Sequence, residues 1–147
     1  MPTVEVTRTI QAPREAVFDV LADHANYDRF RGIRSSELVR DGNPPPNGVA
    51  ALRRILIGPL RFDEEITVYE PPSRLDYLIV GLNVPFDHDG GQIRLAELEG
   101  ATRVDWTSTF RIPIPVIGRV QELAWAPTLR RGFRRVLEDV ERILRGS

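Results

Sequence analysis

The sequence predicts an α+β domain in which a curved antiparallel sheet of six to seven strands wraps a long C-terminal helix, with two short helices after the first strand. Three observations carry this. One short strand pattern is followed by a helical stretch, a long run of alternating strand patterns comes next, and the chain closes on an amphipathic helix. A helix that long, arriving after so many consecutive strands, implies a sheet folded around it with an interior space left between them. The 147 residues and 41% hydrophobic content fit one domain, residues 1–147. A domain of this size buries about two thirds of the surface its unfolded chain exposes.

Val4 to Ile10 alternates Val4, Val6, Arg8 and Ile10 against Glu5, Thr7 and Thr9, the pattern of a half-buried strand. Pro13 stands where a first helical position belongs, and Val17, Val20 and Leu21 recur at helical spacing behind it. A second helical turn or two is expected from His24 to Phe30, ending at Gly32. Strands are then expected at Glu37 to Arg40, Val49 to Ile57, Phe62 to Glu70, Leu75 to Gly81, Gln92 to Leu98 and Thr102 to Ile112. The breaks between them, including Gly58-Pro59, Pro71-Pro72-Ser73, the Pro85 to Gly91 loop and Glu99-Gly100-Ala101, are hairpin-length, so the sheet is antiparallel. The last helix runs from near Gly118 to about Leu144, with Leu129, Phe133, Val136, Val140 and Ile143 as its buried stripe. Pro127 inside it predicts a kink or split near Ala126. On the opposite face, Arg130, Arg131, Arg134, Arg135, Arg142 and Arg145 form a basic row. Glu138 falls four residues from Arg134 and Arg142, Asp139 four from Arg135, and Glu141 four from Arg145, so a solvated, internally paired face is the better reading than a membrane or carrier-protein site.

Composition excludes much chemistry. The formal charge of −1 gives no bulk attraction to phosphate backbones, so nucleic acid is not an expected partner. There is no cysteine, which removes disulfides, thiolate nucleophiles and iron–sulfur clusters. All 20 basic residues are arginine, so Schiff-base chemistry and a P-loop lysine are excluded too. That arginine bias reads as genomic base composition. The N-terminal residues lack a basic region followed by an apolar one, and no apolar run approaches the ~20 residues of a transmembrane segment, so a cytoplasmic location is expected. No cofactor or metal is expected. Asp87-His88-Asp89 carries metal-capable side chains, but consecutive residues in a glycine-rich hairpin converge poorly on one ion, and a solvated loop is favoured.

The segment Ala12-Pro13-Arg14-Glu15-Ala16-Val17-Phe18-Asp19-Val20-Leu21-Ala22-Asp23 resembles the first-helix signature of the START-related, helix-grip (START/Bet v 1-like) SRPBCC superfamily, in particular its polyketide cyclase/dehydrase and lipid-transport branch. Glu70-Pro71-Pro72-Ser73-Arg74-Leu75 is similar to that family's turn between central strands, Gly100-Ala101-Thr102-Arg103-Val104-Asp105-Trp106 to its entry to the last strand, and Pro113 to Arg119 to its approach to the C-terminal helix. The likeness spans the chain in order. It departs at Phe30-Arg31-Gly32-Ile33, where many relatives carry Trp and a nearby His-Pro, so a role resting on that histidine does not transfer. The resemblance implies an apolar cavity between sheet and helix that takes sterols, lipids, polyketides or hormones, with cyclisation, aromatisation or dehydration of the bound chain in some members. Fold alone does not choose among these.

Strand parity supplies candidate residues. If Val104 and Trp106 point inward, Ser108 and Phe110 do too. The same rule puts Phe62, Glu64, Ile66 and Val68 inside, with Leu75, Tyr77 and Ile79 facing them. Tyr27 and Phe30 from the second helix and Leu129 and Phe133 from the last complete the ligand-binding set. An inward carboxylate must be paired, and the partner of Glu64 is Arg54 or, in the other register, Arg53. His24 reads as a surface residue. The apolar Ile112, Ile114, Val116 and Ile117, set among prolines, read as a lip at the cavity entrance. Two functions follow: binding or transport of a small hydrophobic, lipid-like or polyketide-like ligand, or a cyclase, aromatase or dehydratase in which Glu64, with Arg54 and Tyr77, moves a proton on a bound carbonyl compound. The catalytic reading requires Glu64 and Tyr77 to meet at one depth of the cavity. A third class, a protein partner or homodimer, would be supported by an exposed apolar patch outside the cavity.

Overall fold

The computed structural model describes residues 2–114 and 117–146. Strand β1 (Thr3–Ile10) leads into helix α1 (Arg14–Leu21) and a 3-10 segment (His24–Arg29). Strands β2 (Ser35–Arg40), β3 (Leu52–Ile57), β4 (Leu60–Glu70), β5 (Arg74–Leu82), β6 (Asp87–Leu98) and β7 (Ala101–Arg111) follow, and helix α2 (Ile117–Arg145) closes the fold. The seven strands form one antiparallel sheet in the order β1-β7-β6-β5-β4-β3-β2. Successive strands are neighbours because hairpin turns join them, and β1 closes on β7 because the helical segment carries the chain across one end. Val17, Phe18, Val20 and Leu21 of α1 and Val136, Leu137 and Val140 of α2 are buried with the inward residues of the sheet. Among the described residues no helix is long and apolar enough to cross a membrane.

Several expectations shift. Pro13 is the cap before α1, and the His24 segment is 3-10 with Asn26 out of helical conformation, so it is tighter than an α turn. β3 starts at Leu52, because Val49 bridges only Asn43 and Ala50 sits at φ 72. Inward parity on β4 ends at Ile66, where a bulge turns Tyr69 toward the core against Phe18 and leaves Val68 half-exposed. Of the kink or split expected near Ala126, the split does not occur: α2 is one helix that runs on through Pro127. Pro127 and Leu123, whose carbonyl the proline ring leaves unpartnered, are both solvent-exposed, so water can take up the lost hydrogen bond. Of its forecast stripe, Val136 and Val140 are buried while Leu129, Phe133 and Ile143 are half-buried.

The largest difference is β6. The glycine-rich Pro85 to Gly91 stretch is strand from Asp87 onward, with a bulge between His88 and Gly90. Glycine here is not a loop signal. Gly90 takes φ 132 at the bulge, and a Cβ on Gly91 would overlap Tyr77 Cζ, so the missing side chain makes room for the tyrosine ring. Among the described residues the apolar lip does not form as one surface: Ile112 is buried with Val4 and Phe110, Ile114 packs on that cluster, and Ile117 is exposed, while Val116 lies outside the described residues. Ile117, Val120 and Leu123 leave an exposed apolar row on the first turns of α2.

Candidate functional site

Between the sheet and α2 lies a cavity of about 430 Å³. Arg53, Ile55 and Ile57 of β3 and Leu60, Phe62 and Glu64 of β4 form one wall. Tyr77 and Ile79 of β5 continue it, with Trp106 and Ser108 of β7 beyond. Trp125, Leu129, Phe133 and Val136 of α2 close it, and Tyr27, Phe86 and Arg31 to Ile33 line its ends. The half-burial of Leu129 and Phe133 is thereby explained: they face this space. Phe133 stacks on Trp106 at 4.2 Å between ring centres.

The polar heart of the wall is Arg53, 1% exposed. A two-residue turn at Gly58-Pro59 pairs Ile57 with Leu60, and counting outward along the ladder sets Arg53 directly opposite Glu64. Both Nε (2.8 Å) and Nη2 (2.7 Å) of Arg53 reach the same carboxylate oxygen, Oε1 of Glu64. Among the described residues Oε2 of Glu64 has no partner, on a side chain that lines the cavity. The third guanidinium nitrogen donates to His24 Nδ1 at 3.2 Å, so His24 carries its proton on Nε2 and donates it to the Asn47 carbonyl at 3.0 Å. The guanidinium also lies over the rings of Tyr27 (4.7 Å) and Tyr77 (5.2 Å), contacts worth about 2 kcal/mol each when desolvated. Burial works against its charge, yet Tyr27, Glu64 and Tyr77 together outweigh that and hold Arg53 above its ordinary pKa.

Tyr77 accepts the indole N–H of Trp106 at 2.9 Å, and its own proton has no acceptor among the described residues. Burial, then the nearby Glu64 charge, raise its pKa, so it stands as a neutral hydrogen-bond donor. Behind it, His88 Nδ1 accepts the Ile79 backbone N–H at 2.9 Å, which puts the imidazole proton on Nε2, 2.8 Å from Ser108 Oγ. The ring stacks on Tyr77 at 5.5 Å. Ser108, accepting from His88, keeps its own proton for the cavity. The wall therefore presents one open carboxylate oxygen and two hydroxyl donors inside an otherwise apolar space.

Of the sequence candidates, Tyr27, Phe62, Glu64, Tyr77, Trp106, Ser108, Leu129 and Phe133 line this cavity. Four do not. Arg54 lies on the other face of β3, where it bonds Asp63 at 2.8 Å, because neighbouring strand residues alternate sides. Phe30 and Ile66 are packed into the core beneath the wall, and Phe110 is buried with Val4 and Ile112 and stacked by Phe86. His24 is fully buried rather than on the surface, because Arg53 and Asn47 supply both its ring nitrogens with partners. His88 is an inward strand residue rather than a loop one. Among the described residues no cluster of acids and histidines is arranged to hold a metal ion.

The arginine face of α2 is also paired differently. Glu141 meets Arg145 at 3.4 Å as expected and also takes Arg8 at 2.8 Å. Asp139 is fully buried and receives the Arg31 backbone N–H (2.8 Å) and Nε (2.7 Å), pinning the Arg31–Ile33 segment at the cavity end. Glu138 leans to Arg31 at 3.9 Å.

Comparison with known proteins places these features. A family model described as polyketide cyclase / dehydrase and lipid transport matches residues 1–145. No curated protein matches the chain in sequence. Among solved structures, TTHA0849 from Thermus thermophilus is 23% identical with TM-score 0.81, covering 99% of both chains. The ZhuI aromatase/cyclase from Streptomyces sp. R1128 is 20% identical with TM-score 0.76, covering 97% of this chain and 95% of that one. Ara h 8.0201 is 17% identical with TM-score 0.71, covering 99% of both. At these identities the likeness is one of fold, the Bet v 1-like helix grip.

Both histidines are held neutral. Burial, then the Arg53 charge, lowers His24 to about 3, and burial lowers His88 to about 4, against 6.5 in the unfolded chain. Below pH 6.5 the unfolded state takes up protons that the folded sites refuse, so stability is full well above 6.5 and is lost as pH falls, down to about 4 for His88 and about 3 for His24. Urea unfolding at pH 7 and pH 5 should show a loss of about 1–2 kcal/mol per histidine. His88→Gln should remove about half of that pH dependence.

Proposed function

Because the chain belongs to the polyketide cyclase/dehydrase and lipid transport family, we infer that it binds, and carries, a small lipid-like or polyketide-like molecule bearing an oxygen at its inner end. The observation that supports this reading most is the wall itself: largely apolar side chains, with Arg53 held by its own partners, and with Glu64 Oε2 and the Tyr77 and Ser108 hydroxyls, whose hydrogen-bonding capacity the described residues leave unused. A ligand hydroxyl donates a hydrogen bond to Glu64 Oε2 and accepts one from Tyr77; the apolar remainder replaces the contacts an empty cavity forgoes. Purified protein, denatured and extracted, should yield a stoichiometric apolar compound by mass spectrometry. Ser108→Trp, which fills the cavity, should lose it while remaining folded. A compound retained equally by the variant would place binding elsewhere.

A second reading, an aromatase, cyclase or dehydratase, is favoured by one observation: Glu64 and Tyr77 stand on neighbouring strands and line the same cavity, with Glu64 opposite Ile79 and Tyr77 opposite Ile66. Arg54 has no part in it; Arg53 takes the role of fixing the carboxylate. Glu64 Oε2 removes a proton from the carbon next to a bound carbonyl, and Tyr77 donates a hydrogen bond to the oxygen that becomes an enolate. Solvent deuterium exchange into 2-undecanone should then be accelerated by the protein and not by Glu64→Gln. No acceleration by the wild type leaves binding as the function.

A further inference from the structure

The cavity's mouth carries charge that its interior does not. Inside, Arg53 and Glu64 neutralise each other at 2.7 Å. At the rim, Arg31 is matched by Asp139 and Glu138. Arg131 and Arg135, one turn apart on α2, also line the cavity, and no carboxylate among the described residues lies within ion-pair distance of either. The acids that helical spacing offers them are engaged elsewhere: Asp139, four residues from Arg135, is committed to Arg31 and Arg142, and Glu138 to Arg31. Gly32, which also lines the cavity, lies against Arg135: a Cβ there would sit 3.5 Å from its Nη1, so this guanidinium meets bare backbone rather than an acidic side chain. Arg130 and Arg134 on the same helix also lack an ion pair among the described residues, so what sets Arg131 and Arg135 apart is that they line the cavity.

We propose that the ligand is an anionic amphiphile, whose apolar body occupies the cavity and whose carboxylate or phosphate sits at the mouth between Arg131 and Arg135. Guanidinium forks match either oxyanion in a two-point geometry, and both side chains are exposed, so they can close on the group without burying an unpaired charge. The inference rests on the cavity-binding reading and narrows it to one ligand class. A neutral sterol or alcohol would leave the rim unused, and a cation would be repelled by it.

Chain-matched probes test it: dodecanoate, dodecyl phosphate, dodecanol and dodecyltrimethylammonium, titrated into the intact protein by calorimetry. Both anions should bind about tenfold tighter than dodecanol, the cation weakest, and the anion advantage should shrink as salt is raised. Arg131→Gln/Arg135→Gln should lose that tenfold for the anions and leave dodecanol unchanged, with an unaltered melting temperature as the folding control. Comparing dodecanoate with dodecyl phosphate tells which oxyanion the rim prefers. Dodecanol binding as tightly as the anions, or a variant weakened equally toward all probes, overturns the proposal and leaves the cavity reading intact. Binding by none of the probes overturns both.

Discussion

A cation in the wall of an apolar cavity is the constraint around which this protein is arranged. Arg53 is almost completely buried, and a charge in that position is tolerable only if every direction from the guanidinium meets a compensating group. Glu64 supplies the opposite charge, His24 a lone pair, and Tyr27 and Tyr77 their ring faces. Each of those groups is in turn held by something else: His24 by the Asn47 carbonyl, Tyr27 by the Leu21 carbonyl at 2.6 Å, Tyr77 by the indole of Trp106. The 3-10 segment, the end of α1, the turn before β3 and three strands are therefore tied to one side chain.

That network also explains how the fold stays hollow. Cores close because apolar side chains meet; here the side chains that would meet across the sheet are spaced by polar groups with fixed partners, and α2 lays Leu129 and Phe133 against the gap without filling it. Gly91 lets the Tyr77 ring lie flat on β6, and the bulge beside it turns His88 inward, where it steadies Ser108 and stacks on the same tyrosine. Hydrogen-bonding capacity is directed inward at Glu64, Tyr77 and Ser108, while the exposed Arg131 and Arg135, without an ion pair among the described residues, line the same cavity.

Much of this is legible in the residues before any coordinates. Alternation in Phe62 to Ile66 and in Val104 to Phe110 is strict enough that parity alone points Glu64, Trp106 and Ser108 inward, and the order of elements announces the helix grip. The pairing of Arg53 with Glu64 was within reach as well, since a two-residue turn at Gly58-Pro59 determines the ladder beyond it. Other features are not carried locally. Gly90-Gly91 in a sequence reads as a loop, whereas Gly90 serves the positive φ of a bulge and Gly91 makes room for the tyrosine on the adjacent strand, neither of which is visible locally. His24 looks like any polar residue after a helix until the arginine that needs its lone pair is in place. The acids of α2 stand at the right helical spacing for their own arginines, but Arg31 takes two of them, and that competition comes from tertiary structure.

The most direct measurement is a double-mutant cycle on the pair itself, with Arg53→Met, Glu64→Gln and the two combined, followed by urea unfolding. Either single change leaves a buried group without its partner and should cost about 3–5 kcal/mol, while the combined change should recover a coupling of about 2 kcal/mol or more. Effects that add within about 0.5 kcal/mol would mean that the two side chains do not depend on each other, and that the cavity is held open by something other than this ion pair.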